Sequence, residues 1–301
     1  MQRTMTLAGS LGAGGGISKM LLTRVITAAV LLLILIVSIW LDPLAFAGVM
    51  AVAFGATLYE WLRIGGLGPR PALLVAAVEM VTQFSLYWAG GLPRMSWFLF
   101  AVNGLIMVAW FVIFIVELFH RHSGFKVSQR QCLWSAVTFV PAAYLSLLWL
   151  FEVGDWILVL SVLLIVWGAD ISAYFCGRAW GKHAMAPAIS PKKTIEGAVG
   201  AYLIVIIFFV LTYVFCVQPN VFTNFLFDRV GFVWGVVTLA LLVALSISGD
   251  LWESMLKRLV GIKDSSNLLP GHGGFFDRMD ASLPVLPAAT FIMLWIDLLL
   301  S

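Results

Sequence analysis

Charged residues are scarce in this sequence. They make up 11% of its 301 residues, and hydrophobic residues make up 62%, whereas a soluble domain carries about 25% charged residues. A chain with so few charges could not cover a folded surface with groups that bind water. We therefore expect lipid to be its main solvent, which excludes a soluble enzyme. The small net charge of +3 gives no sign of a nucleic-acid partner.

Cysteine is rare, and several catalytic motifs are missing. The three cysteines, Cys132, Cys176 and Cys216, lie in or beside apolar runs without paired spacing. We interpret them as small core residues and not as metal ligands or a disulfide. Gly-x-Ser-x-Gly, His-Glu-x-x-His and Gly-x-Gly-x-x-Gly do not occur. The sequence thus gives no signal for a nucleophile elbow, a zincin site or a Rossmann dinucleotide site.

Long apolar runs dominate the chain. A membrane-spanning helix needs about 20 apolar residues, and the sequence offers nine such runs: 25–41, 44–62, 72–90, 96–118, 132–151, 156–176, 197–217, 231–249 and 282–300. They predict an all-α fold, a polytopic bundle of nine transmembrane helices. Pro284 and Pro287 predict that the last span begins with a kink or re-enters the membrane.

Lysine and arginine predict the orientation of this bundle. If residues 1–24 are cytoplasmic, every basic residue except Arg94 and Arg229 falls on the cytoplasmic side, which is 16 of the 18. Cytoplasmic loops are enriched in these residues. Residues 1–19 are rich in small residues and are predicted to be disordered or a leader foreign to the natural chain. Residues 20–301 are then a single membrane-embedded catalytic domain.

Two predicted cytoplasmic segments, 177–196 and 250–281, are long enough to carry chemistry. Asp250 directly follows the eighth span, and a continued helix places Asp250, Ser254 and Lys257 on one face. A carboxylate, a hydroxyl and an ammonium group near the membrane surface suit a metal-bound polyphosphate.

A glycine-rich loop follows in the second of these segments. The run from Pro270 to Gly274 breaks the helix and lets backbone approach a ligand. Asp277 and Asp280 come next, so that carboxylates before and after the loop could meet at one cation. The alternative is a solvated loop with ordinary surface charges.

Ser190 and Pro191 predict a helix start, with Ser190 as N-cap and Pro191 in the first helical position. Lys192 and Lys193 would then lie at the end of the helix dipole that disfavours cations. A bound phosphate would remove this conflict. The alternative is that both lysines only mark the cytoplasmic side.

Several acidic residues fall inside or near spans. Asp170 lies within the sixth span, and a carboxylate there is costly enough to indicate function. The alternative is a structural hydrogen bond to a neighbouring helix. Glu60 and Glu117 are predicted to reach the membrane interface, and Glu79 receives no role.

A dense pattern of residues follows the eighth span: Ser254-x-Leu256-Lys257-Arg258, four residues, Lys263-Asp264, then Leu269-Pro270-x-His272-Gly273-Gly274-Phe275-x-Asp277-Arg278-Met279-Asp280. It resembles, at every position, the signature of the phosphatidate cytidylyltransferases (CDP-diacylglycerol synthases). Ser190-Pro191-Lys192-Lys193-Thr194-x-Glu196-Gly197 and the segment around Asp170 are also similar to that family. Thr23–Thr27 and Glu60-Trp61 resemble it more weakly.

The resemblance implies a nine-span homodimer of the bacterial inner membrane that transfers CMP from CTP to phosphatidate at the cytoplasmic face, with Mg²⁺ and room for a second cation. Asp250 and Asp277 would be the metal ligands. Contacts to the triphosphate and phosphatidate would come from Lys192, Lys193, Lys257, Arg258, Lys263 and Arg278. Further catalytic candidates are Asp264, His272 and Asp280. Further substrate-binding candidates are Ser190, Thr194, Glu196, Asp170, Ser254, Gly273 and Gly274.

Two other functions remain open at this point. A transporter or channel would fit nine spans and an intramembrane Asp170, although the polar residues cluster on one side. Another membrane CTP user, such as a lipid-alcohol kinase, would release CDP and not pyrophosphate. A CDP-alcohol phosphatidyltransferase is disfavoured, because its Asp-Gly-x-x-Ala-Arg motif is absent.

Overall fold

The computed structural model describes residues 13–90, 92, 96–124, 126–215 and 220–300, with side chains between 22 and 299. Within these ranges the helices are α1 Ala13–Leu41, α2 Pro43–Ile64, α3 Pro69–Trp88, α4 Ser96–His120, α5 Gln129–Trp180, α6 Ile195–Val214, α7 Phe222–Val230, α8 Phe232–Leu259, α9 Phe276–Met279 and α10 Ser282–Leu300. Two short antiparallel strands, β1 Ala184–Ala186 and β2 Ser190–Thr194, form a hairpin between α5 and α6. The all-α prediction is confirmed.

Eight helices of the described chain are long and apolar enough to cross a membrane. One of them, α5, has 52 residues, which corresponds to about 78 Å of helix against a hydrocarbon core of about 30 Å. Asp155 breaks it with φ 67° and ψ −176°, outside the helical region. With the two halves of α5 counted separately, the described residues contain nine helical segments of spanning length, which is the number predicted.

The predicted span boundaries need few corrections. The structure assigns α10 as one continuous helix from Ser282 that contains Pro287, so this segment is not re-entrant. Residues 1–12 lie outside the described residues, and α1 begins at Ala13. That residues 1–19 are disordered or a foreign leader therefore stays a prediction. Cys132 and Cys176 are buried and free, as predicted. Cys216 lies outside the described residues.

The predicted helix start at Ser190 is wrong. Residues Ser190–Thr194 form β2, and the helix begins at Ile195 with Thr194 as its N-cap, whose hydroxyl accepts a hydrogen bond from the Gly197 N–H at 3.1 Å. A Ser-Pro pair also suits an edge strand, because proline needs no ladder partner there. Lys192 and Lys193 therefore project from a strand and not from the first turn of a helix.

Helices α5 and α6, which flank the hairpin, pack closely against each other. A Cβ on Gly197 would lie 2.7 Å from the carbonyl oxygen of Ala173 on α5, so only glycine allows α5 and α6 to approach this closely. Small residues serve the same purpose in membrane helix pairs generally. The second half of α5, the hairpin and the start of α6 thereby form one unit beside the end of α8.

Candidate active site

Helix α8 continues past the apolar stretch and carries three of the predicted residues into the site. It runs to Leu259, which confirms the predicted extension through Asp250, Ser254 and Lys257. Glu253, one turn before Lys257, is also directed inward, with its side chain only 2% exposed. The Lys257 Nζ atom lies 2.6 Å from Glu253 Oε2 and 2.7 Å from Asp277 Oδ1. Lys257 thus joins α8 to the segment after the glycine loop.

Asp277 is held by hydrogen bonds from two residues of the preceding loop. Its Oδ2 atom accepts hydrogen bonds from the backbone N–H groups of Ser265 at 3.0 Å and Gly274 at 2.8 Å, and lies 3.0 Å from Ser265 Oγ. Burial alone would raise the pKa of Asp277, but contacts from Glu253 and Lys257 outweigh it and hold the pKa below its usual range. The carboxylate is therefore ionised and fixed in place.

A second group of carboxylates surrounds Asp250. One oxygen each from Asp250, Glu253 and Asp280 lies within 4.8 Å of the other two. Burial, with the neighbouring Asp250 and Asp170, raises the pKa of Asp280 well above its usual range. Carboxylates brought so close repel one another, and a hard divalent cation with oxygen ligands would relieve that repulsion. The donor set therefore fits Mg²⁺.

The hairpin supplies a cation to this group from another part of the chain. Lys193 on β2 forms an ion pair with Asp250 on α8. The hairpin itself is fastened to α6 by His183, whose Nδ1 lies 2.6 Å from Glu196 Oε1, and by the Ile195 N–H, which donates to the His183 carbonyl at 2.9 Å. Glu196 thus contacts the hairpin, while Lys193 contacts the carboxylates.

The turn from Leu269 to Gly273 is held from two sides. The His272 N–H donates to the Leu269 carbonyl at 2.9 Å, and the His272 carbonyl accepts from Arg278 Nη2 at 3.0 Å. From α1, Arg24 Nε donates to the Gly271 carbonyl at 2.9 Å. Gly273 has φ +84°, a left-handed conformation that favours glycine. The turn is therefore a defined structure and not only a solvated loop.

The other candidate residues are placed around this centre. Asp170 lies near enough to Asp250, Lys193 and Arg278 to interact electrostatically with them. Ser254 is half-buried on α8. Six charged candidates are exposed: Asp170, Lys192, Arg258, Lys263, Asp264 and Arg278. The structure thus brings Asp170, Lys193, Asp250, Lys257, Asp277 and Asp280 together and leaves the other five exposed candidates at the rim.

Sequence reasoning named Glu60 and Glu117 but did not predict that both are buried behind the site. Glu60 and Glu117 are 1% and 3% exposed, so the prediction that they reach the interface is wrong. Glu117 Oε2 accepts a hydrogen bond from Ser248 Oγ at 2.7 Å. Glu60 is bound by four donors from the signature segment. Their presence inside apolar helices was the available signal, because carboxylates in a span are costly without partners.

Known proteins resemble this chain over most of its length. The cytidylyltransferase family matches residues 22–296. A phosphatidate cytidylyltransferase of Pseudomonas aeruginosa is 35% identical over 288 residues, covering 92% of this chain and 99% of that protein. The Haemophilus influenzae protein of the same name is 31% identical and covers 92% of this chain and 100% of its own length. The Bacillus subtilis one is 29% identical, covering 91% and 96% respectively.

These matches span the membrane helices as well as the carboxylate centre, and they agree with the signature pattern after α8. The match is far longer than half of the chain, and the relatives are covered almost completely. This chain therefore belongs to the cytidylyltransferase family, together with the phosphatidate cytidylyltransferases.

Proposed function

We propose that this protein transfers CMP from CTP to phosphatidate and so makes CDP-diacylglycerol and pyrophosphate for phospholipid synthesis. A phosphate oxygen of phosphatidate attacks the α-phosphorus of CTP, and the bond from that phosphorus to the oxygen bridging the β-phosphorus breaks. The nucleophile is already an anion, so no strong general base is needed. The observation that carries the proposal is the meeting of Lys193, Lys257 and three clustered carboxylates at the C-terminal end of α8.

The cofactor in this proposal is Mg²⁺. The signature suggests Asp250 and Asp277 as ligands, and the geometry adds Glu253 and Asp280 beside Asp250. A bound divalent cation would neutralise charge on the phosphoryl oxygens. Asp277 would bind the cation only if Lys257 Nζ, which lies 2.7 Å from Asp277 Oδ1, moved away from that oxygen. Asp250 is the ligand common to both sets.

The basic residues hold the two anionic substrates together against their mutual repulsion. Lys193 and Lys257 are half-buried beside the carboxylates, and Lys192, Arg258, Lys263 and Arg278 line the exposed rim. CTP enters from the aqueous side and phosphatidate enters sideways from the membrane, with its acyl chains in lipid. We place this site on the cytoplasmic face of a bacterial inner membrane, in a homodimer, on the strength of the lysine and arginine distribution and the family resemblance.

Lys193→Met is expected to lower kcat/KM for CTP by about 10- to 100-fold, because a hydrogen bond to a charged group contributes about 1.5–3 kcal/mol. The substitution removes the ammonium that faces Asp250 and keeps most of the apolar stem. Steady-state kinetics at varied CTP would measure the loss. Lys182→Met, which removes an exposed lysine just before the hairpin, should change it less than about twofold. Equal effects of the two substitutions would contradict a site role for Lys193.

Pyrophosphate release by the detergent-purified protein tests the reaction itself. Release is expected only when Mg²⁺, CTP and phosphatidate are all present, with a CMP-bearing lipid as the second product. Each component is omitted in turn. CDP in place of pyrophosphate would show a lipid kinase, and charge movement in proteoliposomes without CTP use would show a transporter.

A further inference from the structure

Glu60 connects helix α2 to the signature segment that contains Asp277. The residue is 1% exposed, and its partners all lie more than 200 positions away in the sequence. Glu60 Oε1 accepts from Ser266 Oγ at 2.5 Å and from the Phe275 N–H at 3.1 Å. Glu60 Oε2 accepts from Ser265 Oγ at 2.7 Å and from the Phe276 N–H at 2.8 Å. Each oxygen thus receives one hydroxyl and one backbone donor.

Ser265 links Glu60 directly to Asp277. Its hydroxyl lies 2.7 Å from Glu60 Oε2 and 3.0 Å from Asp277 Oδ2, and a hydroxyl has one proton to donate. The shorter distance assigns that proton to Glu60. The backbone N–H of Ser265 then serves Asp277 at 3.0 Å. One residue therefore has its position fixed by both carboxylates.

Close packing surrounds Glu60 and the segment that it binds. The Trp61 ring stacks on the Phe276 ring with centroids 4.6 Å apart and an angle of 15° between the planes. A Cβ on Gly274 would lie 2.7 Å from Glu60 Cδ and would also overlap Ser265 Oγ. The glycine at position 274 is thus required by the approach of Glu60, which explains one of the two adjacent glycines in the loop.

We propose that Glu60 is a positioning residue that holds the segment from Ser265 to Phe276 so that Asp277 stays against Lys257. Glu60 is too deeply buried to touch either substrate, so it acts through the loop. The inference rests on the proposed function for its kinetic consequences, but not for its structural ones. Partners of this kind, one layer behind a ligand, typically change activity or metal affinity by about 10- to 100-fold when lost.

Glu60→Gln tests the proposal with the least change in shape. The amide group replaces one oxygen by a donor, and whichever way the side chain turns, this donor faces a backbone N–H that cannot accept. We expect kcat at saturating CTP and phosphatidate to fall by about 10- to 100-fold. Glu60→Asp keeps both oxygens and should recover part of the loss. Glu79→Gln, on α3 with Gln83 as its partner at 2.8 Å, is the matched control and should behave as wild type.

Two further measurements separate positioning from a general loss of stability. Hydrogen exchange at the Phe275 and Phe276 amides should rise in Glu60→Gln while the amides of α10 stay protected. In a double-mutant cycle, Ser265→Ala should reduce kcat in wild type and add little in Glu60→Gln, because both act through one contact. Ser265→Ala removes only a hydroxyl, so it remains informative if Glu60→Gln does not fold.

Wild-type kcat in both Glu60→Gln and Ser265→Ala would overturn the proposal, as would effects that simply multiply in the double variant. Unchanged exchange at Phe275 and Phe276 in Glu60→Gln would overturn it as well. Failure of the proposed function is a separate result, since wild type itself would then release no pyrophosphate. The exchange experiment would still test the anchor in that case.

Discussion

Asp250→Asn and Asp277→Asn are each expected to nearly abolish CMP transfer, with kcat/KM falling by at least about 100-fold. Asp250 is the carboxylate shared by the cation cluster and the ion pair with Lys193. Asp277 holds Lys257 and the loop N–H groups. An amide keeps the size of each side chain but removes the negative charge, so the loss reports charge and not volume. Pyrophosphate release with saturating phosphatidate is the measurement.

Asp297→Asn is the matched control for these variants. Asp297 lies near the end of α10 and pairs with Arg229 at 3.4 Å, with about half of each side chain exposed. An exposed pair of this kind contributes little to stability, and we expect activity within about twofold of wild type. Activity near that of wild type in both Asp250→Asn and Asp277→Asn would contradict the site as assigned here.

Gly249→Ala is expected to reduce activity by about 100-fold, since a displacement of about 1 Å at a catalytic centre can have that effect. A Cβ at this position would overlap the carbonyl oxygen of Asp280 and lie 3.0 Å from both Cδ and Cγ of Pro284. Neither the backbone nor the proline ring can move aside easily. The methyl group would therefore push Asp280 away from Asp250, its neighbour in the cation cluster.

The same substitution should also destabilise the fold, since overpacking costs about 1–3 kcal/mol. Thermal unfolding in detergent and pyrophosphate release would be measured together. Gly48→Ala on α2 is the control, because its Cβ would meet only Phe84 Cε2 at 3.8 Å, an ordinary contact. Alanine also suits a helix better than glycine by about 0.5–1 kcal/mol. If Gly249→Ala matched Gly48→Ala in both measurements, the close approach of α8 and Asp280 would not matter for function.

The membrane architecture could be predicted from the sequence because its cause acts locally. Each apolar run enters lipid independently of the others. A run of about 20 residues must then be helical, because lipid offers no hydrogen-bond partners to its backbone. For this reason the break at Asp155 within α5 was predictable as a gap between two runs. The signature residues after α8 were likewise readable one by one, and they indicated the family that the comparisons then showed.

Local patterns failed where two structures fit the same residues. Ser190-Pro191 suits both a helix start and an edge strand, and the hairpin forms because β1 is available to pair with β2. Likewise, a carboxylate such as Glu60 within a span can be interfacial or buried. Glu60 is buried because four donors between Ser265 and Phe276 bind its carboxylate. These donors lie far from Glu60 in the sequence, so no local pattern around Glu60 reveals them.

The sequence by itself therefore determined that this protein is embedded in lipid, that it has nine apolar segments of spanning length, and which residue types are available for chemistry. Only the tertiary structure decided which of these residues are partners: Lys193 with Asp250, Lys257 with Asp277, and Glu60 with the loop. The physical reason is that hydropathy and helix formation depend on neighbours in the chain. Hydrogen bonds and ion pairs depend on distances of about 3 Å, and those distances are set by how separate helices pack.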